Sequence, residues 1–323
     1  MANLCIIGAG AWGSALSIAL SDNFERIYLH AHKENNASEL WTKHPDLPVN
    51  YANNVELTFD LSKIEQCAGI LIAVPSYAFF ATVKSIKPFL NKQYVAWATK
   101  GFDTESGGFL HTSFESVLSA HPSCVISGPS FAVEVAQHKP SALTVASKDK
   151  KTRDYWAKTL QTSALRTYTN DDVIGVEVGG SVKNILAIAA GIAAGLNYGA
   201  NTQAALITRG LAEMTRLGVV LGANPLTFNG LSGLGDLVLT CSDDLSRNRR
   251  FGKQLANNKD AKQALEFVGA TVEGVNTLEL VLSIAQKNHI EMPICEQVAQ
   301  VIAGKTTPTK AVNYLMSRTQ TQE

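Results

Sequence analysis

A glycine fingerprint near the start of the chain narrows its fold more than any other feature. Gly8-Ala9-Gly10-Ala11-Trp12-Gly13 has the spacing G-x-G-x-x-G. The spacing alone is weak, because glycine is common. Its setting is stronger: it follows the apolar run Leu4-Cys5-Ile6-Ile7 and opens a helical stretch at 12–21. A buried strand that turns tightly into a helix is what a dinucleotide-binding fold requires. Gly8 allows the turn, Gly10 lets the backbone approach a pyrophosphate, and Gly13 lets the helix lie close to the sheet. The helix start then presents unpaired N–H groups to the anion. The alternative is a glycine-rich turn that holds no ligand.

The first half continues the alternation. Short apolar, β-branched stretches at 4–8, 26–31, 70–74, 95–98, 124–127 and 142–147 read as buried strands, with a last strand at 165–169. Helical stretches at 12–21, 77–87, 109–118 and 149–161 lie between them. This is the pattern of a doubly wound, mostly parallel sheet covered on both faces. After about residue 178 the strands stop, and 182–195, 201–221, 249–256, 275–287 and 294–303 read as helices. The expectation is an α/β Rossmann domain over 1–178 and an all-α domain over 179–323, with the break between the paired acids Asp171-Asp172 and the paired glycines Gly179-Gly180. A chain of 323 residues suits two such domains.

Composition removes several classes of function. Lys plus Arg and Asp plus Glu both number 28, so the net charge is zero and a nucleic-acid partner is not expected. The longest apolar run, 185–196, is twelve residues, short of the roughly 20 that span a bilayer. No basic stretch or cleavage site accompanies the first apolar run, so no signal peptide is expected. Five widely spaced cysteines form neither a CxxC pair nor a zinc pattern; they read as buried, reduced thiols of a cytoplasmic protein without a metal.

In a doubly wound sheet, ligands lie beyond the carboxyl ends of the strands. The second strand should end in an acid if a ribose 2′-hydroxyl is bound, but here it reads Leu29-His30-Ala31-His32-Lys33-Glu34. A neutral or cationic tip tolerates a 2′-phosphate, so NADPH should bind at least as well as NADH; a plain solvated strand end is the alternative. Val74-Pro75-Ser76 ends another strand, where it would border the nicotinamide ribose. Ala98-Thr99-Lys100-Gly101 points an ammonium into the cleft. Ser127-Gly128-Pro129-Ser130-Phe131-Ala132 turns into a helix. Gly128 permits close backbone approach and Ser130 offers a hydroxyl, although a Ser130 helix cap and a surface Lys100 are the structural alternatives.

In the second half, Gly179-Gly180-Ser181-Val182-Lys183-Asn184 reads as a chain break followed by a helix. One lysine stands at the head of an otherwise apolar run. Burial and a helix start both disfavour its charge, which would suit it to proton exchange; the alternative is a lysine that snorkels to water. Asn229-Gly230-Leu231-Ser232-Gly233-Leu234-Gly235-Asp236 reads as a glycine-rich loop ending in a carboxylate, and Ser246-Arg247-Asn248-Arg249 carries phosphate-binding chemistry. A flexible loop and a solvated basic turn are the alternatives.

Taken in order, these segments, with Val272-Glu273-Gly274, resemble the bacterial NAD(P)-dependent glycerol-3-phosphate dehydrogenases over nearly the whole chain. The resemblance implies a helical domain similar to that of 6-phosphogluconate dehydrogenase, and reversible conversion of dihydroxyacetone phosphate to sn-glycerol 3-phosphate for phospholipid synthesis. It implies Lys183 as proton donor and acceptor, with Asp236 and Lys100 also catalytic. Lys100, Gly128, Ser130, Lys183, Asp236, Ser246, Arg247 and Asn248 would surround the substrate. Gly8, Gly10, Trp12, Gly13, His32, Lys100, Ala132, Arg247, Val272 and Glu273 would contact NADP(H) or NAD(H). The fingerprint and Lys183 fall in different expected domains and would have to meet across a cleft. Relatives often have Ser at Ala11, Ala at Ser181 and Arg at His32. A reductase of another small keto acid and a non-catalytic NADPH/NADH sensor are the competing functions, and a homodimer is compatible with the chain.

Overall fold

The computed structural model describes residues 2–32, 42–103, 105–119, 121–257 and 259–319. They form two compact units, Met1–Glu177 and Val178–Glu323. The first is built on a sheet of β1 (Leu4–Ile7), β2 (Ile27–His30), β3 (Val55–Thr58), β4 (Gly69–Ile72), β5 (Tyr94–Trp97), β6 (Ser123–Ser127), β7 (Ser141–Ala146) and β8 (Leu165–Asn170). The spatial order is β3-β2-β1-β4-β5-β6-β7-β8. Neighbours β6 and β7 run antiparallel; the other described pairs are parallel. The order reverses between β1 and β4, the place where such sheets bind ligands.

The period-two rule explains why both faces are covered. Leu4 and Ile6 pack with Leu29, Leu71 and Trp156 on one face. Cys5 and Ile7 pack with Ile70, Ile72, Trp97 and Phe114 on the other. Every residue of β1 is buried, which only helices on both sides can achieve. The helix Ser76–Ile86 shows the matching pattern: Phe79, Val83 and Ile86, at helical spacing, are its buried apolar face. Each such side chain contributes roughly 1.5–3 kcal/mol by leaving water.

The second unit is helical. Its core element is Val173–Gly195, which starts in the first unit and is 23 residues long. By length and composition this helix is apolar enough to cross a membrane, yet 94% of its apolar window is buried inside the protein. Small residues let its neighbours approach. A Cβ on Gly191 would overlap the carbonyl oxygen of Arg249, and one on Gly252 would overlap that of Ile188. The helix Arg247–Ala256 therefore crosses it backbone to backbone.

Three expectations need correction. The long helix does not begin after Gly179-Gly180; it begins at Val173, where Asp172 Oδ1 accepts the Gly175 N–H at 2.9 Å. Gly179 is a packing position, since its Cβ would overlap Ser232 O. The 229–236 segment is no open loop either: the π-helical turn Leu231–Gly235 runs into the helix Asp236–Ser242. Strand β3 and the helices Ala261–Val268 and Pro308–Ser317 were not anticipated. All five cysteines are free and buried.

Candidate active site

In the first unit the strand ends form a row. Gly8 has φ +116°, and a Cβ there would lie 2.7 Å from Ala73 O at the end of β4. A Cβ on Gly13 would overlap Gly8 O. Both glycines are thus required by the protein itself. Gly10 is different, because a Cβ there would meet no protein atom within 4 Å. Gly10 is also the N-cap of Ala11–Ala19, with no side-chain cap and no acid in the first turn. Open space above an uncapped helix start fits a dinucleotide pyrophosphate. The indole Nε1 of Trp12 is buried without a hydrogen-bond partner among the described residues, a second feature that fits a bound polar group.

Further along the row, Thr99 Oγ1 donates to Val74 O at 2.8 Å. Lys100 Nζ donates to Gly128 O at 3.2 Å, and Ser130 Oγ donates to the same oxygen at 3.1 Å. Lys100, Gly128 and Ser130 are therefore brought together, and Lys100 is only partly exposed, unlike a surface lysine. Ser130 is not a helix cap: the helix Ala132–Ala136 has Phe131 at that position, without a side-chain bond. Ala132 opens that helix. His32 is exposed just beyond β2, while Lys33 and Glu34 lie outside the described residues.

In the second unit Lys183 and Asp236 are buried, at 6% and 1% exposure. Lys183 Nζ donates to Asp236 Oδ1 at 2.6 Å and to Thr240 Oγ1 at 2.9 Å. The Thr240 hydroxyl in turn donates to the backbone oxygen of Asp236 at 2.5 Å. Snorkelling to water is thereby excluded. The helix-start argument also falls, because Lys183 sits well inside Val173–Gly195. Its charge meets a carboxylate instead. Removing one partner of such a pair costs roughly 3–5 kcal/mol, since the other charge stays buried alone. Thr240 was missed by sequence reasoning. Its signal is Asp-x-x-x-Thr, which puts both side chains on one helical face once 236–242 is recognised as a helix.

The basic segment is a helix head, not a solvated turn. Ser246 caps Arg247–Ala256 by accepting the Arg249 N–H at 3.2 Å. Arg247, Arg249 and Arg250 crowd the positive end of that helix, with no acid in the first turn. Asp244 pairs with Arg249 and with Lys253, the latter at 2.8 Å. Cations at a helix start are unfavourable by themselves, so this head suits an anion. Asn248 is buried and bonded to Asn184 and to the Gly274 N–H. Val272 is the N-cap and Glu273 the first residue of the helix Glu273–Lys287. Among the described residues, no group of three His, Cys, Asp or Glu side chains is arranged to hold a metal ion.

Comparison with known proteins agrees along the whole chain. The sequence model for the NAD-dependent glycerol-3-phosphate dehydrogenase N-terminus matches residues 3–153, and that for the C-terminus matches 172–313. A glycerol-3-phosphate dehydrogenase (NAD(P)+) of Ruthia magnifica subsp. Calyptogena magnifica is 64% identical over 322 residues, covering 99% of both chains. One of Halorhodospira halophila is 44% identical over 98% of this chain and 97% of its own. Among solved structures, a glycerol-3-phosphate dehydrogenase from Coxiella burnetii superposes with a TM-score of 0.94 at 41% identity, over 98% of this chain and 99% of that one. With both family models matched in order and a relative this similar over its full length, the chain belongs to the NAD-dependent glycerol-3-phosphate dehydrogenase family.

Proposed function

We propose that this chain reversibly reduces dihydroxyacetone phosphate to sn-glycerol 3-phosphate with NADPH or NADH, supplying glycerophospholipid synthesis. The observation that carries this reading is the buried Lys183–Asp236–Thr240 cluster. The unit Met1–Glu177 serves as the dinucleotide-binding domain and Val178–Glu323 as the substrate domain, one residue from the expected 178/179 boundary. Gly8, Gly10, Trp12, Gly13, His32, Lys100 and Ala132 would hold the cofactor from the first domain, with Arg247, Val272 and Glu273 from the second.

When bound, the nicotinamide supplies a hydride to the ketone carbon of the substrate. Lys183, as an ammonium, hydrogen-bonds the carbonyl oxygen and gives it a proton as negative charge develops there. In the oxidative direction the same amine accepts the hydroxyl proton. Asp236 and Thr240 each accept an ammonium N–H of Lys183, which holds the amine in place. Arg247, with Ser246 and Asn248, binds the substrate phosphate, and Lys100, Gly128 and Ser130 complete its surroundings.

The arginine-rich helix head favours a phosphorylated substrate over a plain keto acid. A pure cofactor sensor would have no use for a buried, paired lysine. Five buried free thiols support a cytoplasmic location. Exposed Val219, Val220 and Met316 support a homodimer. The test is to mix the protein with NADPH and dihydroxyacetone phosphate and follow the nicotinamide absorbance. Oxidation that disappears with unphosphorylated dihydroxyacetone supports the reading; no turnover contradicts it. NADPH should serve at least as well as NADH, and a strong preference for NADH would contradict the reading of His32.

A further inference from the structure

One hydrogen-bonded tie inside the second unit has no part in the proton transfer just described. Gly274, the second residue of Glu273–Lys287, donates its backbone N–H to Asn248 Oδ1 at 2.9 Å. Asn248, the second residue of Arg247–Ala256, donates Nδ2 to Asn184 Oδ1 at 3.0 Å. Asn184 donates its own Nδ2 to Gly180 O, one turn back in its helix, at 3.3 Å. Both asparagines are buried. Every link runs from donor to acceptor in one direction, so both amides are held in a single orientation. The approach is close: a Cβ on Gly274 would lie 2.7 Å from Asn184 O and 2.9 Å from Asn248 Oδ1. Val272 offers no side-chain cap to its helix, so the Asn248 carbonyl satisfies one of the first-turn N–H groups.

The members of this tie are site residues or their chain neighbours. Asn184 follows Lys183, Asn248 follows Arg247, and Gly274 follows Glu273. We propose that Asn184 is a positioning residue for the reaction, acting through Asn248 to fix the heads of the Arg247 and Glu273 helices relative to Lys183. The proposal rests on the reading above, in which Arg247 and Glu273 serve substrate and cofactor. Truncating Asn184 leaves the Asn248 amide buried and half-bonded, which frees the helix head that carries it to shift.

The test is a double-mutant cycle on the full chain, read as kcat and as KM for dihydroxyacetone phosphate and NADPH, with thermal melting alongside. Asn184→Ala and Asn248→Ala should each raise the KM for dihydroxyacetone phosphate about tenfold, with a smaller change in kcat. The double variant should be no worse than Asn248→Ala, because both act through one link. Asn184→Asp, with its buried carboxyl protonated, keeps an oxygen toward Asn248 Nδ2 and an O–H toward Gly180 O, and should stay within about threefold of the parent. A lowered melting temperature with unchanged KM in Asn184→Ala, multiplied effects in the double variant, or an Asp variant as impaired as the Ala variant would each overturn the proposal. If Asn184→Ala does not fold, Asn184→Ser, whose side chain is too short to reach Asn248 Nδ2, decides: a KM for dihydroxyacetone phosphate raised about tenfold supports the proposal, and a near-parental KM overturns it. Arg247→Ala checks the underlying reading separately. An unchanged KM there refutes the phosphate assignment, whatever the asparagine variants do.

Discussion

The two units carry their parts of the site in opposite ways. The first offers backbone: glycines at strand ends, an uncapped helix start, and the Gly128 carbonyl oxygen that orients both Lys100 and Ser130. The second offers side chains whose charges are matched inside packed helices, as in Lys183 with Asp236 and Thr240. A backbone site is damaged by adding atoms, and a charged side-chain site by removing them. That difference sets what each substitution should do.

The largest effect should come from unbalancing the buried pair. Asp236→Asn leaves the Lys183 ammonium without a countercharge, and kcat should fall at least about a hundredfold. Steady-state turnover near the parental value would show that the carboxylate is not needed to hold the amine.

A second buried acid of the helical unit sharpens the point, because among the described residues no cation is in contact with it and Arg216 acts on it only from a distance. Glu213 accepts the N–H groups of Ile294 and Cys295 at 2.7 and 3.3 Å, yet burial pushes its carboxyl up to about 7. An acid raised in the folded state adds stability below its unfolded value near 4.5 and loses it as pH climbs through about 7. Glu213→Gln should remove this dependence, gaining roughly 2–3 kcal/mol on the parent between pH 5 and 8 in urea unfolding. Parallel pH profiles for the two proteins would contradict it.

The glycines of the first unit should separate into two kinds. Gly8→Ala forces a side chain onto φ +116° and against Ala73 O, and should destabilise the fold by about 2 kcal/mol. Gly10→Ala meets no protein atom and should leave the melting temperature alone while raising the KM for NADPH about tenfold. If both lower stability equally, the open space at Gly10 is not a cofactor seat.

Much of the first unit was legible because its signals are local. Apolar runs between glycines and charges mark six of the eight strands, and β8, an edge strand reading Leu-Arg-Thr-Tyr-Thr-Asn, shows instead by its β-branched and aromatic residues. Strand β3 escaped because it is a half-buried edge strand carrying Glu56, and an edge needs no apolar run. The helical unit was harder to read because its signals are tertiary. Gly179 looks like a breaker until Ser232 O is seen in the space that a Cβ would fill. The start at Val173 did have a local sign, Asp172 before an apolar run, as did Ala261–Val268 in its Asp260/Gln263 capping box. The roles of Lys183, Asp236 and Arg247 came from the resemblance rather than from periodicity. What only the structure supplies is the matching of Lys183 with Thr240 and of Asn248 with Asn184.

The most direct measurement is single-turnover reduction of dihydroxyacetone phosphate by Lys183→Ala loaded with NADPH, with cofactor affinity measured on the same sample. The account predicts a hydride-transfer rate lower by at least about two orders of magnitude with cofactor affinity essentially unchanged. Transfer at close to the parental rate would mean that some other group protonates the carbonyl oxygen.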